Sequence, residues 1–392
     1  MISSARTRTK TSSELIGTNP SRSGDYNQRV VLEAVRTRGT VTCADIAAAT
    51  GLTHQAAINI TKRLQADGLL SDVGKTAGAR GQPATRLSVN PKGAYALGLN
   101  IDREHVTLVV MDLLGETKHR ASLQKPFPLP EDILAFVQKE TADIYARRIV
   151  PRKRVIGLGI AMPDGISFPQ FPDKPAAFDR WLTIDFPAMC ADALDLPVFK
   201  ENDATAAALG EHRFGQGGEL ASFIYVLISA GLGCGIIIDG HPYIGGKNHA
   251  GEIGNIPVMT ETGKAQILWD TVSLPALFRK IGQFGPVITH VEQLNLSVPA
   301  IANGVEAWIQ DAVASMMLPF VTINYILSPQ MTFIGGQLPL PIVEQLCARL
   351  NVAIRQFETH MPITQFAPST ASTDASALGA AVMVFHQQLL PQ

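Results

Sequence analysis

The stretch that decides the fold is Phe223–Val258, FIYVLISAGLGCGIIIDGHPYIGGKNHAGEIGNIPV. Its first half predicts a strand over residues 223–229, a turn with three glycines over residues 230–235 and a second strand over residues 236–239. Closely spaced glycines let a backbone adopt positive φ and approach a ligand without a Cβ in the way, as phosphate-binding turns do. A tight hairpin turn also explains these glycines, and the glycines alone favour that simpler interpretation.

The second half of this stretch adds polar side chains that can bind hydroxyl groups. His249, Glu252 and Asn255 lie among small residues, directly after a second glycine pair. Carboxylate, amide and imidazole groups can each hydrogen-bond a hydroxyl. Together with the glycine turn, the segment AGEIGN resembles the sugar-binding signature of the ROK family (repressors, open reading frames and kinases). The last residue of that signature is usually His, whereas this chain has Asn255.

A second motif, ENDATAAALGE, spans residues 201–211. Asn202 is placed to cap a helix, and Asp203 lies in the first turn, where the helix dipole favours an anion; good capping chemistry alone explains both residues. The motif also resembles the ROK segment whose Asn and Asp bind sugar hydroxyls, the Asp being the catalytic base in family kinases. The same resemblance suggests Asp270 as the counterpart of a sugar-contacting Glu of the family. The predicted sugar-binding residues are Asn202, Asp203, His249, Glu252, Asn255 and Asp270.

Composition indicates a globular protein with an uneven distribution of charge. The 392 residues are 46% hydrophobic, enough for two or three domains. Residues 1–92 carry 13 Lys and Arg against 6 Asp and Glu, whereas the rest carries 20 against 28. A basic N-terminal part favours a polyanion partner, although a merely soluble small domain has the same charge. No apolar run approaches the roughly 20 residues that span a bilayer, so we predict a cytoplasmic protein.

The N-terminal part predicts a winged helix-turn-helix. Residues 1–24 are rich in Ser, Thr and Arg and predict a flexible basic arm. Helices follow from near Asn27, from Thr42 and from Thr53, with Asp45 completing a capping box at Thr42. Two strands over residues 69–73 and 85–89 then enclose a basic glycine-rich loop. The segments TCADIAAATGLTHQAAINITKRLQADGLL and ARGQPAT also resemble the DNA-binding domain and wing of ROK repressors.

The third predicted helix has one apolar face and one polar face. Ala57, Ile60 and Leu64 share the first face at helical spacing. Amides and cations on the other face are the groups that read base edges and phosphates in a major groove, although most such faces are simply solvated. The predicted DNA-binding residues are Thr53, His54, Gln55, Asn59, Lys62, Arg63 and, at the tip of the wing, Arg80.

The remaining chain predicts a bilobal α/β domain. Two halves each open with an antiparallel meander of strands and continue with strands and long helices, an order that leaves a cleft between two lobes. This duplication resembles the actin-like, sugar-kinase architecture of ROK proteins. The predicted domains are the arm at 1–24, the winged helix-turn-helix at 25–90 and the two-lobed effector domain at 91–392.

Two departures from the ROK kinases argue against enzymatic activity, and a third argues against a zinc site. Where those kinases carry an acidic residue and a Gly-Gly-Thr phosphate loop, this chain has Asn100-Ile-Asp102-Arg103-Glu104, whose carboxylates repel a nucleotide's phosphates. Ala230 replaces a usual Thr in the second phosphate turn. The family's zinc cluster, CxCGxxGC, is missing after Asn255, and the four cysteines lie far apart, so we predict no metal. Because the phosphate turns are altered, we also predict no cofactor and no catalytic residue.

The resulting hypothesis is a transcriptional regulator, a repressor of carbohydrate uptake or catabolism genes. It binds double-stranded operator DNA through the N-terminal domain and a sugar or sugar derivative in the cleft. Family resemblance and half-site spacing predict a homodimer or homotetramer. The alternatives are an active ROK sugar kinase that transfers phosphate from ATP to a hexose, and a regulator that has lost sugar binding and responds to a protein partner.

Overall fold

The structure is a computed structural model that describes residues 20–75, 83–164, 166, 174–259, 263–357, 362–371 and 373–391. It divides into two compact units, Met1–Val89 with Leu389–Gln392, and Asn90–Gln388. The division lies within one residue of the boundary predicted at 90, but the C-terminal segment was not expected in the first unit. In the described part of the chain, no helix combines the length and apolar character that crossing a bilayer requires.

In its described residues, the first unit contains three helices and a small antiparallel sheet. Its strands are ordered β1-β3-β2. The elements are α1 (Pro20–Arg38), β1 (Val41–Thr42), α2 (Cys43–Thr50), α3 (His54–Ala66), β2 (Leu70–Lys75) and β3 (Thr85–Val89). This order, with the hairpin of β2 and β3 after the third helix, is the predicted winged helix-turn-helix.

Local side-chain bonds set the ends of these helices. The Thr42 hydroxyl accepts a hydrogen bond from the Asp45 amide at 3.3 Å, and the Asp45 carboxylate accepts one from the Thr42 amide at 2.8 Å, as the predicted capping box requires. The Thr53 hydroxyl accepts from the Ala56 amide at 3.2 Å and caps α3. One boundary was wrong, because α1 begins at Pro20 rather than near Asn27. Residues 1–19 of the predicted arm lie outside the described residues.

The first lobe of the second unit is a five-stranded sheet with the order β6-β5-β4-β7-β8. The first three strands form an antiparallel meander, and β4, β7 and β8 run parallel. Helices connect the parallel strands and cover the sheet. The elements are β4 (Tyr95–Ile101), β5 (His105–Asp112), β6 (Thr117–Gln124), α4 (Pro130–Ala146), β7 (Val155–Ala161), α5 (Phe186–Leu194), β8 (Val198–Glu201) and α6 (Asp203–Phe214).

The second lobe repeats this topology with the order β11-β10-β9-β14-β15. Its meander is again antiparallel, and β9, β14 and β15 run parallel, so the predicted duplication is confirmed. The elements are β9 (Phe223–Ile228), β10 (Leu232–Ile238), β11 (His241–Pro242), β12 (Pro257–Met259), β13 (Ala265–Ile267), α7 (Leu274–Gly282), α8 (Pro299–Leu327), β14 (Thr332–Gly336), α9 (Leu340–Ile354), β15 (Phe366–Pro368) and α10 (Ala375–Gln388).

Two Ala-rich helices, each with one glycine, join the lobes. Helix α6 packs on β9 and β10 of the second lobe, α10 packs on β4 and β7 of the first, and the two helices pack against each other. The contact requires residues without side chains, because a Cβ on Gly379 would lie 1.7 Å from the Ala206 carbonyl oxygen. Similarly, a Cβ on Gly159 of β7 would lie 1.9 Å from the Ala380 carbonyl oxygen. This close packing fixes the start of α6 at the cleft.

Candidate functional site

The start of α6 supplies the first two polar residues of the site. The Asn202 side-chain oxygen caps the helix by accepting hydrogen bonds from the amides of Ala204 at 2.9 Å and Thr205 at 3.2 Å. One Asp203 carboxylate oxygen accepts from the Ala204 amide at 2.9 Å. Asn202 and Asp203 both line a cavity of the second unit. Capping chemistry therefore places these two predicted residues at the cavity.

The glycine turn contributes through packing. Gly231 lies in the turn between β9 and β10, whereas Gly233 and Gly235 lie within β10. A Cβ on Gly235 would lie 2.3 Å from the Ala204 carbonyl oxygen, and one on Gly233 would lie 2.9 Å from the Ala204 Cβ. The two strand glycines thus let β10 approach the first turn of α6. The backbone forms the hairpin of the simpler interpretation. Gly233 and Gly235 let β10 of this hairpin pack closely against α6, the helix that carries Asp203.

The AGEIGN segment also approaches β10 closely at a glycine. Gly251 has φ of +90°, and a Cβ there would lie 1.8 Å from the Cys234 carbonyl oxygen. Because only glycine tolerates both conditions, this position fixes the path of the loop. The loop then presents Glu252 and Asn255 to the cavity, and the Asn255 amide donates a hydrogen bond to the Glu252 carboxylate at 3.2 Å.

The cavity has a volume of about 400 Å³, in the range that holds a small organic ligand. Its lining combines acidic side chains with apolar ones, a composition that suits a ligand with both hydroxyl groups and C–H surface. The lining residues are Asp102, Arg103, Pro163, Asp164, Ile166, Asn202, Asp203, Leu227, Ser229, Ala230, Gly231, Leu232, Gly233, Glu252, Gly254, Asn255 and Trp269.

Clustered carboxylates shape the electrostatics of the cavity. Burial, reinforced by the charges of Asp102, Asp164 and Glu252, raises the pKa of Asp203 to about 7. Partial burial and the charge of Asp164 also raise the pKa of Glu252. Asp164 itself contacts the Lys200 ammonium group at 3.3 Å. Near neutral pH, Asp203 therefore exchanges readily between hydrogen-bond acceptor and donor.

Four of the six predicted sugar-binding residues line this cavity, and two do not. His249 is exposed on the loop before Glu252. Asp270 lines a different cavity of about 380 Å³, between the β12–β13 hairpin and helices α7 and α8. Residues 268–270 form a short helical turn, and the Asp270 carboxylate accepts a hydrogen bond from the Ile267 amide at the start of this turn at 3.3 Å. This turn directs the Asp270 side chain away from the cavity that contains Asp203.

Several charged or aromatic lining residues were not among the predicted sugar-binding residues, namely Asp102, Arg103, Asp164 and Trp269. Asp102 and Arg103 lie where β4 ends, and Trp269 directly precedes Asp270. The position of Asp102 after a predicted strand was a usable signal, since strand ends meet at the cleft. No sequence signal distinguished Trp269 from Asp270, because the orientation of the turn decides which of the two faces the cavity.

The NIDRE segment forms the turn between β4 and β5. One Asp102 carboxylate oxygen accepts the Arg103 amide at 2.6 Å, and the other lies 3.8 Å from the His105 ring. The Arg103 guanidinium group lies over the Phe127 ring and 3.3 Å from the Glu104 carboxylate. The sequence analysis expected the carboxylates of Asp102 and Glu104 to repel a nucleotide's phosphates. Of these two, only Asp102 lines the cavity.

On the far side of Asp102 and Asp203 the space is very small. A cavity of about 10 Å³ lies among Asn100, Tyr225, Gly336, Gln337 and Ser376. This volume is about that of one water molecule. Gly336 belongs to the glycine pair that follows β14.

The polar face of α3 is exposed as the sequence predicts. Ala57 and Leu64 are buried in the first unit and Ile60 is half-buried. All the predicted DNA-contact residues of this helix and its cap are exposed, namely Thr53, His54, Gln55, Asn59, Lys62 and Arg63. Gln55 donates a hydrogen bond to Asn59 at 3.2 Å. Arg80, predicted for the tip of the wing, lies outside the described residues.

The donor groups of a metal site do not converge in the described residues, where no group of three or more His, Cys, Asp or Glu side chains can hold an ion. The β12–β13 hairpin follows Asn255, where the family's zinc cluster would begin. Two indole hydrogen bonds connect the turn at residues 268–271 with neighbouring elements. Trp269 donates to the Ala230 carbonyl at 3.2 Å, and Trp308 of α8 donates to the Thr271 carbonyl at 2.8 Å.

Comparison with known proteins is consistent with this architecture. The xylose repressor of Bacillus spizizenii is 26% identical over 244 residues, which cover 59% of this chain and 60% of the repressor. A crystal structure of a ROK family transcriptional regulator, a homologue of the E. coli MLC protein, has a TM-score of 0.67 and 21% identity over 92% of this chain and 96% of its own. The ROK hexokinase of Thermus thermophilus has a TM-score of 0.58 and 21% identity over 75% and 98%.

The likeness to the two solved structures concerns the fold alone, and the chain matches 60% of the length of the xylose repressor. The model of the ROK family matches residues 96–387, most of the second unit. That segment contains the duplicated sheets, the capping motif at α6 and the loop that carries Glu252. The chain belongs to the ROK family.

Proposed function

We propose that this protein is a DNA-binding transcriptional regulator that represses carbohydrate uptake or catabolism genes and responds to a sugar or sugar derivative in the cleft. One observation carries the proposal: a winged helix-turn-helix with an exposed polar third helix shares a chain with a ROK domain that has a ligand-sized cavity. The similarity to the xylose repressor of Bacillus spizizenii, whose name combines a sugar with repression, supports it.

The DNA-binding part of the proposal depends on the exposed face of α3. Gln55 and Asn59 present amides that can pair with adenine edges, and Lys62 and Arg63 present cations for phosphates or guanine. The excess of seven positive charges over residues 1–92 adds a sequence-independent attraction to DNA. Because one winged helix reads few base pairs, operator binding requires a homodimer or homotetramer that spans two half-sites.

We propose that the protein is not a sugar kinase. Asp102 belongs to the segment that, by the family resemblance, takes the place of the kinases' phosphate loop, and with Asp203 it lines the small cavity, where its carboxylate would repel phosphate oxygens. The space there is about 10 Å³, too small for a triphosphate. Without a phosphoryl donor, Asp203 retains the capacity to bind a hydroxyl but has no proton transfer to catalyse.

The kinase alternative is favoured by one observation, since a carboxyl group with a pKa of about 7 suits a general base. Incubation with ATP, magnesium and a panel of hexoses decides between the two. We expect no sugar phosphate. Phosphorylation that Asp203→Asn abolishes would favour the kinase.

The regulator proposal is tested with the full-length protein. DNA fragments are selected from a genomic library by repeated binding, and the recovered site is titrated in a gel shift with and without D-xylose, D-glucose and N-acetyl-D-glucosamine. We expect specific binding and a change in operator affinity with at least one sugar. Selection of no preferred sequence, or affinity unchanged by every sugar, contradicts the proposal.

A pair of variants links the binding to α3. Replacing both Lys62 and Arg63 with Ala removes two cations, so the salt dependence of binding is expected to fall by about one unit per lost phosphate contact. Lys139→Ala removes an exposed cation of the second unit and serves as the control. Equal salt slopes for the double variant and the control would place the DNA contact elsewhere.

A further inference from the structure

Among the described residues that line the cavity, Trp269 is the one aromatic residue. It is half-buried, and its single polar atom, Nε1, donates to the Ala230 carbonyl at 3.2 Å. With that atom engaged by the main chain, the ring offers the cavity a carbon surface. A rigid indole surface is well suited to pack against the C–H face of a ligand.

The turn that carries Trp269 is held from several sides. The Leu268 side chain is fully buried, and its amide donates to the Ile256 carbonyl at 2.9 Å. Directly after the turn, the Thr271 carbonyl accepts from the Trp308 indole at 2.8 Å. The ring is therefore positioned before any ligand arrives, which lowers the entropy lost on binding.

The remaining lining has two distinct characters. Asp102, Asp203 and Glu252 supply oxygen acceptors, whereas Leu227 and Leu232 supply apolar surface beside Trp269. A closed-ring sugar has the same two characters, because its hydroxyls project from the edge and its C–H groups form contiguous faces. An open-chain polyol with the same hydroxyls has no such face.

We infer that Trp269 is a ligand-binding residue of the cleft, against whose ring the C–H face of a closed-ring sugar packs while its hydroxyls bind the carboxylates. This inference rests on the proposed sugar binding. It selects pyranoses or furanoses over the corresponding open-chain alditols. It also means that Trp269, rather than the neighbouring Asp270, is the residue of this turn that contacts the sugar.

The test is calorimetric titration of the full-length protein with D-glucose, D-xylose and N-acetyl-D-glucosamine, each paired with its open-chain alditol. A ring sugar that binds is expected to do so at least tenfold more tightly than its alditol. Trp269→Ala is expected to weaken that sugar about tenfold, and Trp269→Phe, which keeps a ring, by less than threefold. The matched control is Trp181→Phe, at a buried indole of the first lobe that does not line the cavity.

Tryptophan fluorescence separates contact from folding. Sugar binding is expected to change the emission of the wild type and of Trp181→Phe, but not that of Trp269→Phe. Sugar binding unaffected by Trp269→Ala, or alditols that bind as tightly as rings, overturns the inference and leaves the proposed function intact. Failure of every sugar to bind the wild type overturns both.

Discussion

Neighbouring residues at the start of α6 have different roles that their chemistry explains. Asn202 uses its side-chain oxygen for two backbone amides, which is ordinary capping. Asp203 makes one such bond, and its carboxyl group also faces Asp102 and the cavity. Burial and the surrounding carboxylates raise its pKa to about 7, so the folded protein stabilises the protonated form.

This pKa shift predicts a pH dependence of stability. The unfolded carboxyl group titrates near 3.8 and the folded one near 7, so between these values the folded state holds the extra proton. The free energy of unfolding of the wild type is therefore expected to fall as pH rises through this window, by ~2 kcal/mol from pH 5 to 7, and to level off above it. Urea unfolding over pH 5–8 measures it.

Asp203→Asn keeps the oxygen that accepts the Ala204 amide but cannot titrate. This variant is expected to lose that part of the pH dependence, whereas Asp143→Asn, on the exposed side of α4, keeps it. Parallel pH profiles for the wild type and Asp203→Asn would show that Asp203 is not the group responsible.

At the scale of elements, close packing between α6 and α10 determines where the site forms. Small residues along both helices bring their backbones together, and β10 approaches α6 for the same reason. The hydrophobic contribution of these residues is small, but any added side chain displaces backbone. The alanines and Gly210 of ENDATAAALGE therefore have a packing role that is distinct from binding.

Gly379→Ala is expected to lower the free energy of unfolding by about 1–3 kcal/mol, because its Cβ meets the backbone of α6. The measurement is denaturant unfolding of the full-length protein. Gly282→Ala is the control, since a Cβ at the end of α7 meets nothing within 4 Å. Equal stability of the two variants would mean that α6 and α10 separate without cost.

At the scale of the whole molecule, the end of the chain belongs to the unit formed by its beginning. Leu390 is buried, and its carbonyl accepts a hydrogen bond from the Arg29 guanidinium group of α1 at 3.1 Å. The C-terminal segment Leu389–Gln392 is thus a structural part of the winged helix-turn-helix unit. Its burial contributes to the stability of α1.

Leu390→Ala is expected to destabilise the first unit by about 2 kcal/mol through loss of buried apolar surface. Hydrogen exchange of the α1 amides measures the change, and exchange in the second unit serves as the internal reference. Pro391→Ala is the matched control at the next residue. Unchanged protection of α1 in Leu390→Ala would exclude this role for the C-terminal segment.

The sequence by itself determined the local structure and the family signature. Capping at Thr42, Thr53 and Asn202, the apolar stripe of α3 and the alternation of strands and helices all depend on neighbours within a few residues. The duplicated topology followed from that alternation. Helix bounds were less certain, as the start of α1 at Pro20 shows, because a polar first turn has no apolar periodicity to mark it.

Only the tertiary structure decided which side chains meet. Asp102 lines the cavity together with Asp203, although the sequence did not predict it there. Trp269 lines the cavity and the predicted Asp270 does not, and the predicted His249 is exposed. The reason is geometric: the orientation of a turn and the approach of β10 to α6 depend on contacts between residues far apart in the chain, which spacing alone does not encode. The pKa of Asp203 has the same origin, because three of its charged neighbours come from three other segments of the chain.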